Sequence, residues 1–252
     1  MKSKESQEAG LDSALLELDR AVQRIAQHLP RPRLLGSSGR EGWRYEAPNS
    51  YVMQILKLVR VTSGLYAGLH LVSVRHLQEA CVVLRSVDEA IRDVNVLDEA
   101  HHNPDPTEYQ QRMVDEFFED DAERFNAVVA GGPSKVSRVP KKKKLAASER
   151  RLRPAAGGEP VRQMMEGISL VLDGYTHCAY AQTMELYDGT RYHLSGVDDS
   201  TRAADLRSFI TLLCASALRC VSTAMLAVDT DEAGRLLGVA LALDGESEKV
   251  PS

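Results

Sequence analysis

LRSFITLLCASALRCVSTAMLAV, residues 206 to 228, sets Leu206, Phe209, Ile210, Leu213, Ala217, Cys220, Val221, Ala224 and Val228 at helical spacing. Its remaining positions are mostly apolar or small as well (Leu212, Cys214, Ala215, Leu218, Met225), and a helix that is apolar nearly all round is buried by neighbours or by lipid. Arg207 and Arg219 argue against lipid. The uncharged run between them, Ser208 to Leu218, is shorter than the roughly 18 apolar residues of a membrane span. The expectation is an all-α chain: a multi-helix bundle of about six helices around a buried helix near 202–228, with no membrane contact.

Working outward, 252 residues that are 43% hydrophobic suffice for a sizeable core, so residues 1–252 are expected to form a single helical domain. Segments 1–10 and 244–252 read as flexible tails. A formal net charge of −5 gives no overall bias towards nucleic acid, although the charge is unevenly spread. Met1 to Gly10 is polar, without an apolar stretch after its lysines, and the expected location is cytoplasmic. Cys81, Cys178, Cys214 and Cys220 make no Cys-x-x-Cys pair, so free thiols in a reducing compartment are expected rather than a zinc ribbon or a redox site.

A first amphipathic helix is predicted from Leu11, Ala14, Leu15, Leu18, Val22, Ile25 and Leu29, ended by Pro30. Residues 31 to 48 read as a loop, with Trp43 and Tyr45 as the large groups able to anchor it to the core. Asn49 or Ser50 can cap a second helix with Val52, Ile55, Leu56, Val59 and Tyr66 on one face, its end weakened by Gly68. The third helix turns Leu77, Ala80, Leu84, Val87, Ile91 and Val94 inward. Asp105, Pro106 and Glu108 signal the start of a fourth, with an acidic surface and an apolar face of Val114, Phe117, Phe118, Phe125 and Val128.

The composition changes at 131–159, which reads as a basic flexible insertion. Pro160 then opens a fifth helix with Val161, Met164, Met165, Ile168, Val171, Leu172 and Tyr175 at helical spacing. Asp188-Gly189 suits a type I′ turn and predicts a small hairpin excursion near 183–194. Asp198 and Asp199 stand where carboxylates favour the start of the central helix, and a short helix is expected over Thr230 to Leu243.

Leu84 to Ala90 (Leu-Arg-Ser-Val-Asp-Glu-Ala), followed by an aromatic acidic helix and then Gly174 to His177 (Gly-Tyr-Thr-His), resembles an uncharacterised all-helical bacterial family, a domain of unknown function. The resemblance covers about residues 50 to 225, carries over onto Arg85, Glu89, Tyr175 and His177, and implies a helical bundle without an established activity. That family is distantly similar to the HEPN helical ribonucleases, which set an arginine and a histidine about one helical turn apart, with a short run of residues between them. No pair in this chain has that interval: Arg24 and His28 are too close, and Arg60 and His70, like Arg92 and His101, are too far apart.

Two functional expectations follow. The first is an interaction module whose stretch 135–153 contacts nucleic acid or an acidic partner through Lys141, Lys142, Lys143, Lys144, Arg150 and Arg151. The alternative is a divergent HEPN-like ribonuclease acting through Arg85, Glu89 and His177. That reading requires Gly174 to end the fifth helix so that His177 turns towards the charged flank of the third; otherwise Arg85 with Glu89, and Asp88 with Arg92, are i,i+4 salt bridges. Asp98, His101 and His102 lack a convergent fourth ligand, and no metal or cofactor is expected. Nothing in the sequence sets an oligomeric state.

Overall fold

The 206–228 stretch is helical throughout all but its last three residues, inside a helix that starts at Ser200, where the Asp199 carboxylate accepts the backbone N–H of Arg202 at 2.9 Å. The computed structural model describes residues 4–37, 40–47, 49–101, 107–118, 159–191, 193 and 198–247. These form α1 (Lys4–Ala26), β1 (Arg33–Ser37), β2 (Arg40–Arg44), α2 (Ser50–Ser73), α3 (Leu77–His101), α4 (Glu108–Phe118), α5 (Glu159–Thr176), the single-turn α6 (Tyr180–Met184), α7 (Ser200–Met225) and α8 (Thr230–Ser247). Among the described residues there are seven substantial helices and one short one against the expected six or so; α6 in particular is too short for any periodicity to reveal it. Helix also extends into both segments read as tails, from Lys4 at one end and to Ser247 at the other.

α7 is the centre of the bundle and packs against α1, α2, α3 and α8. Its buried residues, among them Ile210, Cys214, Ala217, Leu218, Val221 and Met225, leave little apolar surface uncovered, as an all-round apolar helix requires. By length and composition both α2 and α7 could cross a membrane, which corrects the argument from run length alone. In the bundle, 44% and 61% of their apolar windows are covered by other helices.

α2 starts as expected, the Asn49 side chain accepting the Val52 N–H at 2.9 Å. Its buried stripe includes the predicted Val52 and Ile55, with Leu56 partly buried, but Val59 and Tyr66 are exposed, while Leu58, Val61, Leu65, Gly68 and Val72 face inward. Gly68 does not weaken the end of the helix. Gly64 and Gly68 form the seat for α3, since a Cβ on either would stand 2.4 Å from Val87 Cγ2 or 2.8 Å from Leu84 Cδ2. A count of apolar residues misses this stripe because glycine contributes no side chain to it.

The expected inner face of α3 is buried at all six positions. α4 opens with half of a capping box, Gln110 Oε1 accepting the Thr107 backbone N–H at 2.8 Å while its Nε2 donates to Val96 O at 2.9 Å. Met113 and Val114 then pack with Met53, Val96 and Leu97 in a small second core. Asp105 and Pro106, Phe125 and Val128, and the basic stretch 131–158 lie outside the described residues.

Two departures concern the loops. The two-stranded sheet is at 33–44, where a loop was expected; Arg33 stands opposite Arg44 and Leu34 opposite Trp43. Tyr45 packs on the core, but Trp43, expected to anchor there, is 71% exposed. At 183–194 the chain does reverse, through Asp188 N–H to Arg191 O at 3.2 Å and His193 N–H to Leu186 O at 2.8 Å, without a strand ladder among the described residues. A type I′ turn needs positive φ at both Asp188 and Gly189, and only Gly189 has it, at 97°. The Asp188 carboxylate closes the turn instead, accepting from Thr190 and Arg191, and these bonds together with His193 hold it well below the usual carboxylate range.

Candidate functional site

Along α3, Arg85, Asp88, Glu89 and Arg92 repeat at intervals of three and four, which places them on one side of the helix. A charged flank of this kind normally faces water. Here Arg85, Asp88 and Arg92 are buried, because α5 lies across the flank. Burying charge is tolerated only with partners in place. Arg85 Nε donates to Asp173 Oδ1 of α5 at 2.5 Å, and its Nη2 pairs with Glu89 at 2.6 Å. Arg92 Nη2 lies 2.7 Å from Asp88 Oδ2, and its Nε donates to Asp88 Oδ1 at 3.1 Å.

Titration of the ladder follows from this packing. Burial lowers the Arg85 pKa, but the hydrogen bond to Asp173 and the charges of Glu89, Asp173 and Asp88 outweigh it, leaving the guanidinium firmly charged. Asp88 is displaced upward by burial, although Arg92 and Arg85 both pull the other way. Further along α3, Lys57 of α2 reaches Asp93 at 2.9 Å, Gln54 donates to Asp98, and Cys220 of α7 donates to Asn95 at 3.4 Å. The polar side of α3 is thus tied to α2, α5 and α7.

The structure brings Arg85 and Glu89 together, but it does not add His177 to them. α5 continues through Gly174 to Thr176, and His177 sits exposed in the following turn without a hydrogen bond or ion pair to Arg85 or Glu89. The helix ends at Cys178, whose φ is 50°: Cys178 N–H donates to Tyr175 O at 3.2 Å and Ala179 N–H to Gly174 O at 2.9 Å, the two bonds of a Schellman motif. Gly174 serves a different purpose, since a Cβ there would stand 2.8 Å from the Gln182 side chain. The group that α5 brings to Arg85 is the carboxylate of Asp173, not the imidazole of His177.

A second cluster was not legible in the sequence. Tyr175 Oη donates to both carboxylate oxygens of Glu185 at 2.9 Å, and Arg202, from the first turn of α7, pairs with the same carboxylate while its guanidinium lies 4.9 Å from the Tyr175 ring centroid. Glu185 is raised by burial and by Asp199. Burial pushes the neighbouring Cys81 thiol up to about 11 despite Arg202, so it is a protonated thiol at neutral pH and not a nucleophile. The cluster joins α3, α5, α7 and the turn after α6, and only the conjunction of four distant segments assembles it.

Lys141, Lys142, Lys143, Lys144, Arg150 and Arg151 lie outside the described residues. Among the described residues, no group of three or more histidine, cysteine, aspartate and glutamate side chains is arranged to hold a metal ion. In comparisons with family models, with curated proteins and with solved structures, nothing matches the chain.

Proposed function

We propose that this protein is a helical binding module whose basic stretch, residues 135–153, docks onto nucleic acid or an acidic protein partner in a reducing cytoplasm. The observation that carries the reading is charge segregation: nine lysines and arginines against one glutamate in that stretch, in a chain of net charge −5. A binding role is favoured over catalysis by the state of Arg85, whose guanidinium is buried and held by Asp173 and Glu89 while His177 stands apart in solvent. Four free cysteines accord with the compartment.

If about six of those basic side chains reach phosphates, affinity for an unrelated RNA or DNA duplex falls by roughly 10³-fold between about 50 and 200 mM salt. Deleting residues 135–153 should abolish that binding, and binding of an acidic protein with it. Unchanged duplex binding after the deletion overturns the reading. Cleavage of RNA by the purified protein that is lost in His177→Ala would revive the ribonuclease alternative.

A further inference from the structure

We propose that the seam between α3 and α5 holds an internal water molecule, bound by Arg85 Nη1, Asp88 Oδ2 and Ser169 Oγ and fastening α5 to the charged flank of α3. The site is separate from residues 135–153 and stands whether or not that stretch binds. It is made of what the ion pairs of the flank leave over. Arg85 uses Nε on Asp173 and Nη2 on Glu89, and its Nη1 has no hydrogen-bond partner. Asp88 Oδ1 accepts from Arg92 Nε; its Oδ2 lies 2.7 Å from Arg92 Nη2, but too obliquely to accept a hydrogen bond. Ser169 Oγ, on α5, is likewise without a partner. The three residues are 8%, 7% and 0% exposed, so bulk solvent does not serve these atoms, and buried polar atoms are as a rule hydrogen-bonded to protein or to ordered water.

Arg85 Nη1 and Asp88 Oδ2 are 4.0 Å apart. That is beyond a direct hydrogen bond, yet a single oxygen can stand about 2.8–3.0 Å from both. Ser169 reaches the same place by helix register. Gln182, whose side chain packs on Gly174 near the end of α5, accepts at its backbone carbonyl from Gln78 in the first turn of α3, while Asp173 meets Arg85 further along α3, so α3 and α5 run antiparallel. One turn back from Asp173 along α5 is Ser169, on the same face; one turn on from Arg85 along α3 are Asp88 and Glu89. The serine therefore comes abreast of the Asp88 carboxylate, and its short side chain fills little of the space between the helices.

The chemistry of the three atoms selects the occupant. A guanidinium nitrogen only donates, a carboxylate oxygen accepts, and a hydroxyl does either. Water satisfies all of them at once, accepting from Arg85, donating to Asp88 and bonding to Ser169 in whichever sense remains. Three such bonds are the usual complement of an internal water. An anion in the same place would face Asp88, Glu89 and Asp173, and a cation would face Arg85 and Arg92. A neutral molecule that both donates and accepts meets no such opposition.

A crystal structure of the full-length protein at high resolution tests the site directly. It should show one oxygen peak within about 3.2 Å of Arg85 Nη1, Asp88 Oδ2 and Ser169 Oγ. In solution, oxygen-17 relaxation dispersion of water counts long-lived internal molecules. That count should be lower by one in Ser169→Val and unchanged in Ser169→Thr, since valine and threonine add the same bulk and differ in the hydroxyl. Circular dichroism should match the wild type in both. If neither variant folds, the wild-type crystal structure decides alone. The inference is overturned if the peak is missing, if Ser169 Oγ bonds Asp88 directly, or if Ser169→Val leaves the count of internal waters unchanged. It is equally overturned if crystals soaked in bromide give an anomalous peak at the position, which would make the occupant a halide.

Discussion

Arg85 and Asp173 are 88 residues apart in the chain and meet with Nε donating to Oδ1 at 2.5 Å, so that α5 is fastened to the charged flank of α3. Removing one member of such a pair deprives the other of a charged hydrogen bond. Asp173→Ala should destabilise the protein by about 1–3 kcal/mol, a figure already reduced for the partial exposure of the carboxylate. Arg85→Met combined with Asp173→Ala should cost less than the two single changes together. Urea unfolding of the four proteins measures the coupling, and strict additivity would show that the two side chains do not depend on each other.

Asp88 gives stability a definite dependence on pH. Burial raises its pKa in the folded state above the ordinary value, so between about pH 3.9 and the raised value the folded protein binds more protons than the unfolded chain. The contribution of Asp88 to stability therefore falls as pH rises through this window and is constant above it. Asp88→Asn, which cannot titrate, should remove this downward component. Denaturation midpoints of both proteins at several pH values from 3.5 to 7 would test it; parallel curves would mean that Asp88 titrates in the folded state as it does in the unfolded one.

Glycine to alanine changes should have opposite signs in two helices. In α2, Gly64→Ala and Gly68→Ala drive a methyl group into Val87 or Leu84, and overpacking of about 1–3 kcal/mol exceeds the roughly 1 kcal/mol gained in helix propensity. In α8, nothing stands within 4 Å of a Cβ at Gly234 or Gly238, so the same change should stabilise by about 0.5–1 kcal/mol. Thermal melts decide the signs, and stabilisation by Gly64→Ala would contradict the close approach of α2 and α3.

Cys178 holds a left-handed conformation at the end of α5, where glycine is the usual residue. Cys178→Gly should stabilise the protein by about 1 kcal/mol, the cost of that conformation for a residue bearing a Cβ. Cys178→Ala keeps the Cβ and should stay within about 0.5 kcal/mol of the parent. If alanine and glycine prove equal in urea unfolding, backbone strain is not what distinguishes this position.

What the sequence by itself determined is local in its physics. The all-round apolar character of 206–228, a cap at Asn49 or Ser50, carboxylates at the start of α7 and the six inward positions of α3 depend on interactions within a turn or two of helix and were legible from the sequence; that Asn49 and Asp199 make the caps was added by the structure. Arg85 with Glu89 belongs to the same class, one helical turn apart. Tertiary structure alone decided that this flank would be buried, that its partner would be Asp173 and that His177 would remain outside, because packing chooses among residues scores of positions apart that local rules treat alike. It decided the glycine seat of α2 in the same way, since only the approach of α3 makes the missing side chains matter. The hairpin at 33–44 was hidden for a further reason: its exposed Trp43 and opposed arginines contradict the alternation by which a half-buried strand is recognised, and they do so because neither face of that ribbon is covered at Leu34 and Trp43 or at Arg33 and Arg44.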